Sequence, residues 1–167
     1  FAGGTLARDI VYLNNFAREN NLKIPLLSSI TSSNNMHKEW VLRAMHNDFN
    51  NLNNLNILIL GLSYKSGTNT LRRSHSIEIA EWLIKKGNNV YLFDPVIQNL
   101  DKNYNEKFFL LKDIDDICVD LDVLISTKNW NNQIENIKSL LERNKEEIYL
   151  YDVSRNLSSK REHFICK

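Results

Sequence analysis

Apolar positions open the chain at helical spacing, at Leu6, Ile10, Leu13 and Ala17, with Arg8, Asn14, Asn15 and Arg18 on the other faces. The spacing predicts an amphipathic helix with Thr5 as its N-cap and Asn20-Asn21 as its stop. Pro25 suits the first turn of a second helix reaching to about Phe49, with Leu26, Ile30, Trp40, Val41, Ala44 and Met45 as apolar contacts. Asn50-Asn51-Leu52-Asn53-Asn54 is short, polar and turn-prone. Beyond it the period changes. Ile57–Leu60, Val90–Phe93, Val123–Ser126 and Ile148–Tyr151 are apolar runs rich in strand formers, and Phe108–Leu111 is a weaker fifth. Ser74–Lys86, stopped by Gly87, and Asn131–Arg143 read as amphipathic helices between them.

This alternation predicts an α/β fold: a Rossmann-like, doubly wound parallel sheet preceded by a short helical segment. The expected division is a helical segment over residues 1–50, a linker over 51–55 and the α/β domain over 56–167. The final stretch, Ser158 to Lys167, is polar and is expected to be frayed or only locally helical. The chain shows no internal repeat.

Composition narrows the function classes. The chain has 167 residues, 43% hydrophobic and 25% charged, enough to bury a sizeable core. A net charge of +1 without a basic stripe argues against a nucleic-acid partner. No apolar run is long enough to span a bilayer, and no signal-peptide pattern opens the chain, so no membrane partner is expected. Cys118 and Cys166 are too few for a disulfide framework and lack metal-ligand spacing, which points to a reducing cytoplasmic setting and to no metal site. Phe1-Ala2-Gly3-Gly4-Thr5 opens without an initiator Met, as a fragment would.

In an open parallel sheet, ligands bind beyond the carboxyl ends of the strands. Here those ends are followed by Ser63-Tyr64-Lys65, Asp94, Thr127 to Trp130, and Asp152 to Arg155. Their convergence on one edge is the main pointer to a site. The first turn runs from Gly61 to Ser74 and opens a helix, whose N-terminal amides carry partial positive charge suited to a phosphate. Tyr64 can offer a face to a base, and Lys65 a compact charge to a diphosphate. Equally, Tyr64 can pack on the following helix while Lys65 is solvated. Arg72 and Arg73 at a helix start oppose the macrodipole unless an anion complements them. Asp94 sits where a dinucleotide fold grips a ribose, but the turn lacks G-x-G-x-x-G, so a structural role is expected. His75 reads as a surface or helix-capping residue.

The stretch from Gly61 to Ser74 resembles the turn of the UDP-glucose/GDP-mannose dehydrogenase family, roughly G-x-(A/S)-(F/Y)-K-x-x-T-x-D-x-R-x-S. The resemblance implies a C-terminal UDP-sugar-binding domain in which Tyr64, Lys65 and Arg72 bind the substrate. Thr70 stands where the family has Asp, Arg73 where it has an acidic residue, and His75 where it has Pro. Asp152-Val153-Ser154-Arg155-Asn156 resembles the family's closing Asp-x-x-Arg-Asn segment, and Thr127-Lys128-Asn129-Trp130 its Thr-x-x-(Trp/His) turn more loosely. Both are expected to shape the pocket rim.

Phe1 to Asp9 is similar to the family's F-G-G-S-C-F-x-K-D, with Thr5 at the catalytic cysteine position, Arg8 at the lysine and Asp9 kept. In the family that cysteine forms a thiohemiacetal and then a thioester on the way to a uronate. A threonine hydroxyl is a much weaker nucleophile, so Thr5 reads better as a cap. Asp9 orders a water or pairs with a cation such as Arg8. The resemblance further implies NAD as cofactor, held by a domain preceding this segment and by none of these residues, and a homo-oligomeric full-length protein. Three readings stay open: part of an active nucleotide-sugar dehydrogenase, a degenerate module that binds a nucleotide-sugar without oxidising it, or a generic Rossmann-like domain that binds some other nucleotide.

Overall fold

The computed structural model describes residues 4–64, 68–100, 104, 108–128, 134–144, 147–153, 157 and 164–166. Three helices come first: α1 (Gly4–Glu19), α2 (Pro25–Lys38) and α3 (Trp40–Asp48). Helix α1 already includes Gly4, so Thr5 lies inside its first turn rather than capping it; a cap residue needs non-helical dihedrals. Asn21, at φ 53°, ends α1 as expected. The Leu22 amide reaches back to the Ala17 carbonyl at 2.8 Å and the Asn21 amide to Arg18 at 3.2 Å, satisfying two terminal carbonyls.

The long second helix expected from Pro25 to Phe49 is instead two. Glu39 has ψ 0° and breaks the regular run between them. The break has a packing consequence. Helix α2 buries no residue, whereas α3 turns Val41 and Met45 fully into the core.

The remainder is a sheet of six parallel strands: β1 (Asn56–Leu60), β2 (Asn89–Phe93), β3 (Phe109–Leu110), β4 (Val123–Ser126), β5 (Ile148–Asp152) and β6 (Phe164–Cys166). Their order is β3-β2-β1-β4-β5-β6, the doubly wound Rossmann-like arrangement. Helix α4 (His75–Lys85) follows β1, and α5 (Ile134–Arg143) precedes β5. A 3₁₀ turn at Ile114–Asp116, not foreseen, is closed by a reciprocal Asp113–Asp116 capping box. The sixth strand is a correction, because the polar tail was expected to be frayed or helical. Strand β5 offers an edge whose amides and carbonyls Phe164–Cys166 satisfy.

Alternation along the strands divides the interior into two cores. Ile57, Ile59, Val123, Ile125 and Tyr151 face α4, through Ile77, Ala80 and Leu83, and α3, through Val41 and Met45. Leu58, Leu60, Leu124, Ile148 and Leu150 face α5 through Ile137, Leu140 and Leu141. Strands covered on both faces read as continuous apolar runs for this reason.

Helix α3 is tied to β5 by polar contacts as well. The Tyr151 hydroxyl donates to Asp48 Oδ2 at 2.8 Å, and Trp40 meets the Tyr151 ring edge-on. Burial pushes the Tyr151 phenol well above its usual range, and the Asp48 carboxylate reinforces the shift, so it remains a donor. The segment between α3 and β1 is held too. Leu52 is buried, its carbonyl accepts from Asn88 Nδ2 at 3.0 Å, and the Asn54 amide reaches the Gly87 carbonyl at 3.0 Å. Among the described residues no helix is long and apolar enough to cross a membrane.

Two methionines of the helical segment therefore differ sharply in cost. Met45→Ala should destabilise the chain by about 2–5 kcal/mol in urea unfolding. Met36→Ala, at a position 61% exposed, should change stability by less than about 0.5 kcal/mol. Equal effects would mean that α3 does not share the sheet's core.

Candidate functional site

Strands β1 and β4 are neighbours, and the chain leaves them in opposite directions, which opens a crevice beyond their carboxyl ends. Gly61, directly after β1, has φ 91°. A Cβ there would lie 2.6 Å from Thr127 Oγ1 and 2.9 Å from Lys128 Cγ, so both backbone angle and space call for glycine. The Thr127 hydroxyl lies 2.8 Å from the Gly61 carbonyl and 3.0 Å from that of Leu60. Ser76 Oγ of α4 reaches the same hydroxyl at 3.2 Å. The two turns of the crevice are thus packed directly on each other.

Asp94, at the end of β2, is the hub of this edge. Its Oδ2 accepts from the amides of Leu62 at 2.8 Å and Ser63 at 3.2 Å, and its Oδ1 from the Val96 amide at 3.1 Å. Lys128 Nζ donates to Oδ2 at 3.0 Å and also contacts Ser63 Oγ. Only 3% of the Asp94 side chain and 14% of Lys128 is exposed. Burial by itself would raise the Asp94 carboxyl. The hydrogen bonds from Leu62, Lys128, Val96 and Ser63 outweigh it and hold the carboxyl below its ordinary range. The structural role expected for Asp94 is what these contacts describe.

The same contacts engage three successive backbone amides at the start of this turn. The Leu62 and Ser63 amides are taken by Asp94, and the Tyr64 amide by the Thr70 carbonyl at 3.2 Å. Further on, Arg73 adopts φ 60°. Ser74 then caps α4, its hydroxyl accepting from the Ile77 amide and donating to the Leu62 carbonyl.

The expected site residues are distributed as follows. Tyr64 is 38% exposed at the turn. Arg72 is exposed and lines an open cleft of about 780 Å³ with Asn69, Thr70, Gln98, Asn99 and Tyr104. Thr5, Arg8 and Asp9 lie on the first turns of α1, where Arg8 pairs with Asp9 at 3.3 Å, both exposed. Asp152 accepts from the Leu157 amide at 2.7 Å. Lys65 and residues 129–130 and 154–156 lie outside the described residues.

His75 is the first residue of α4 and is partly buried rather than on the surface. Its Nδ1 is 3.4 Å from Glu78 Oε2, and its Nε2 is buried without a hydrogen-bond partner among the described residues. Burial lowers its pKa against the opposing pull of Glu78.

Lys128 is the residue that sequence reasoning missed. It was read as part of a pocket rim, because its partners Asp94 and Ser63 are 34 and 65 positions away. The available signal was a lysine two positions after the end of a strand that the topology places beside β1.

Comparison with known proteins agrees with this geometry. Residues 58–159 match the sequence model of the UDP-glucose/GDP-mannose dehydrogenase family, UDP binding domain. UDP-glucose 6-dehydrogenase of Rickettsia felis is 30% identical over 133 residues, covering 78% of this chain and 30% of the relative. GDP-mannose 6-dehydrogenase of Pseudomonas aeruginosa is 30% identical over 138 residues, covering 75% of this chain and 30% of the relative. A solved ternary complex of GDP-mannose dehydrogenase from Pseudomonas aeruginosa aligns with a TM-score of 0.68 at 26% identity, over 92% of this chain and 36% of that one. UDP-glucose dehydrogenase from Pyrobaculum islandicum aligns over 100% of this chain and 36% of that one, with a TM-score of 0.77 at 17% identity, a likeness of fold. The chain therefore spans about a third of the length of these relatives.

The Asp94 network makes a pH-dependent contribution of known sign. A carboxyl lowered in the folded state stabilises fully above its unfolded value, near ~3.9, and the stabilisation is lost as pH falls through the lowered folded value. Urea midpoints measured from about pH 6 to about pH 2 should fall less steeply for Asp94→Asn than for the unmodified chain. Parallel curves would show that the carboxylate is not held in its ionised form.

Proposed function

The chain belongs to the UDP-glucose/GDP-mannose dehydrogenase family, and from that premise we propose that it is the nucleotide-sugar-binding part of an NAD-dependent UDP-sugar dehydrogenase. The observation that carries this reading is the coincidence of three things at one place. The matched UDP binding domain, the crevice between β1 and β4, and the turn from Gly61 to Ser74 all fall together. In this reading Tyr64 meets the nucleotide, while Lys65 and Arg72 supply charge to the diphosphate. The engaged amides of residues 62–64 support that division of labour, since these three point to partners within the chain.

The same reading keeps NAD out of this crevice. An acidic residue at the end of β2 would have to grip a ribose, and Asp94 is buried and bonded to Leu62, Ser63, Val96 and Lys128. The hydride acceptor is assigned to polypeptide outside residues 1–167, in keeping with the third of the relatives' length that this chain covers. The supply of NAD would allow a two-electron exchange between the sugar's primary alcohol and an aldehyde. In this reading Thr5 does not replace a thiolate in the second oxidation, because a neutral hydroxyl with no His nearby in sequence to activate it is a poor nucleophile. That feature favours the second reading, a module that holds a nucleotide-sugar without completing its oxidation.

Titration of UDP into the chain tests the first claim. Lys65→Ala and Arg72→Ala should each weaken binding by about 1–3 kcal/mol, as loss of a charge-assisted hydrogen bond does. Unchanged affinity in both variants would remove these side chains from the site. Calorimetry with NAD at roughly millimolar concentration should give no binding heat, a range in which weak ligands remain visible. Saturable NAD binding would instead indicate a self-sufficient dehydrogenase domain.

A further inference from the structure

We propose that Lys128 is a positioning residue for the nucleotide diphosphate: it neutralises the Asp94 carboxylate beneath the turn, so that the turn can receive an anion. The inference rests on the UDP-binding reading above. Asp94 anchors the turn by gathering the Leu62 and Ser63 amides, but this has an electrostatic consequence. The Leu62 and Ser63 N–H groups point to this carboxylate, so a nearly fully buried negative charge lies directly beneath them. In a partly desolvated site such a charge repels a diphosphate far more strongly than it would in water.

Lys128 neutralises that charge. Its Nζ lies 3.0 Å from Asp94 Oδ2 and also contacts Ser63 Oγ, the side chain preceding Tyr64. Its stem crosses the face of Gly61, where a Cβ would sit 2.9 Å from Cγ and 3.1 Å from Cδ. Glycine at 61 therefore opens the path by which a lysine from the β4 turn reaches across the crevice. The ammonium is largely buried and directed to Asp94 and Ser63, so it acts through the turn rather than on the ligand.

This role differs from that of a merely stabilising ion pair, because the two partners carry opposite consequences for an anion. UDP and uridine are titrated into the unmodified chain, Lys128→Met, Asp94→Asn and the double variant, with thermal melts to establish folding. Lys128→Met should weaken UDP about ten-fold while leaving uridine, which has no phosphate, essentially unchanged. Asp94→Asn, which breaks the same pair from the other side, should tighten UDP several-fold. The double variant should return close to the unmodified affinity.

Weakening of UDP by both single variants would reduce the pair to a structural role and overturn the proposal. A double variant as weak as Lys128→Met would place Lys128 on the phosphate itself, which also overturns it. Should Lys128→Met fail to fold, Asp94→Asn alone decides: tighter UDP supports the proposal, and equal or weaker UDP rejects it. An unmodified chain that binds no UDP overturns the parent reading and this one together. Normal UDP binding with a silent Lys128→Met overturns this one alone.

Discussion

The carboxylate of Asp94 is the interaction on which the functional edge depends. It stands at the end of β2 and draws together the amides after β1, the amide of Val96 and the ammonium of Lys128 after β4. Three successive strands of the sheet are joined there by one side chain. Burying that charge would be costly on its own, and the surrounding donors offset the cost and keep it ionised. The course of residues 62–63, just before Tyr64, is held by this group.

The sheet below supplies the rigidity such a hub requires. Both faces of β1 and β4 are covered, one by α3 and α4, the other by α5, so the strand ends have little freedom to shift. Helix α3 belongs to this support. Its Val41 and Met45 lie in the same core as Ile57 and Ile59, and Asp48 accepts from Tyr151 on β5. Helices α1 and α2 stand differently, with Ile10 and Ala17 as the buried residues of α1 and none in α2. A break at Glu39 separates the helix that braces the sheet from the one that does not.

Chemically, the crevice differs from a glycine-rich phosphate loop. There the backbone amides face the anion; here the Leu62 and Ser63 amides are turned to an internal carboxylate, and in the reading proposed above the charge for the anion comes from side chains. Charge on flexible side chains can be tuned or lost by single substitutions without altering the fold. A family whose members handle different nucleotide-sugars, such as UDP-glucose and GDP-mannose in the relatives named above, has use for that separation.

Local pattern alone determined strands β1 to β5, helix α4 with its Gly87 stop and the parallel α/β class. These depend on side-chain periodicity and on residues with unusual backbone freedom, and both are written in adjacent positions. What adjacent positions cannot hold is pairing across the sheet. The strand at Phe164–Cys166 exists because β5 offers it an edge, the break at Glu39 because Val41 and Met45 have a core to enter, and the start of α1 before Thr5 because a cap is set by dihedrals rather than residue type. The same holds for the site. Asp94 and Lys128 are 34 residues apart and have no local reason to meet. Only the strand order, with β1 between β2 and β4, brings a carboxylate and a lysine together over a glycine.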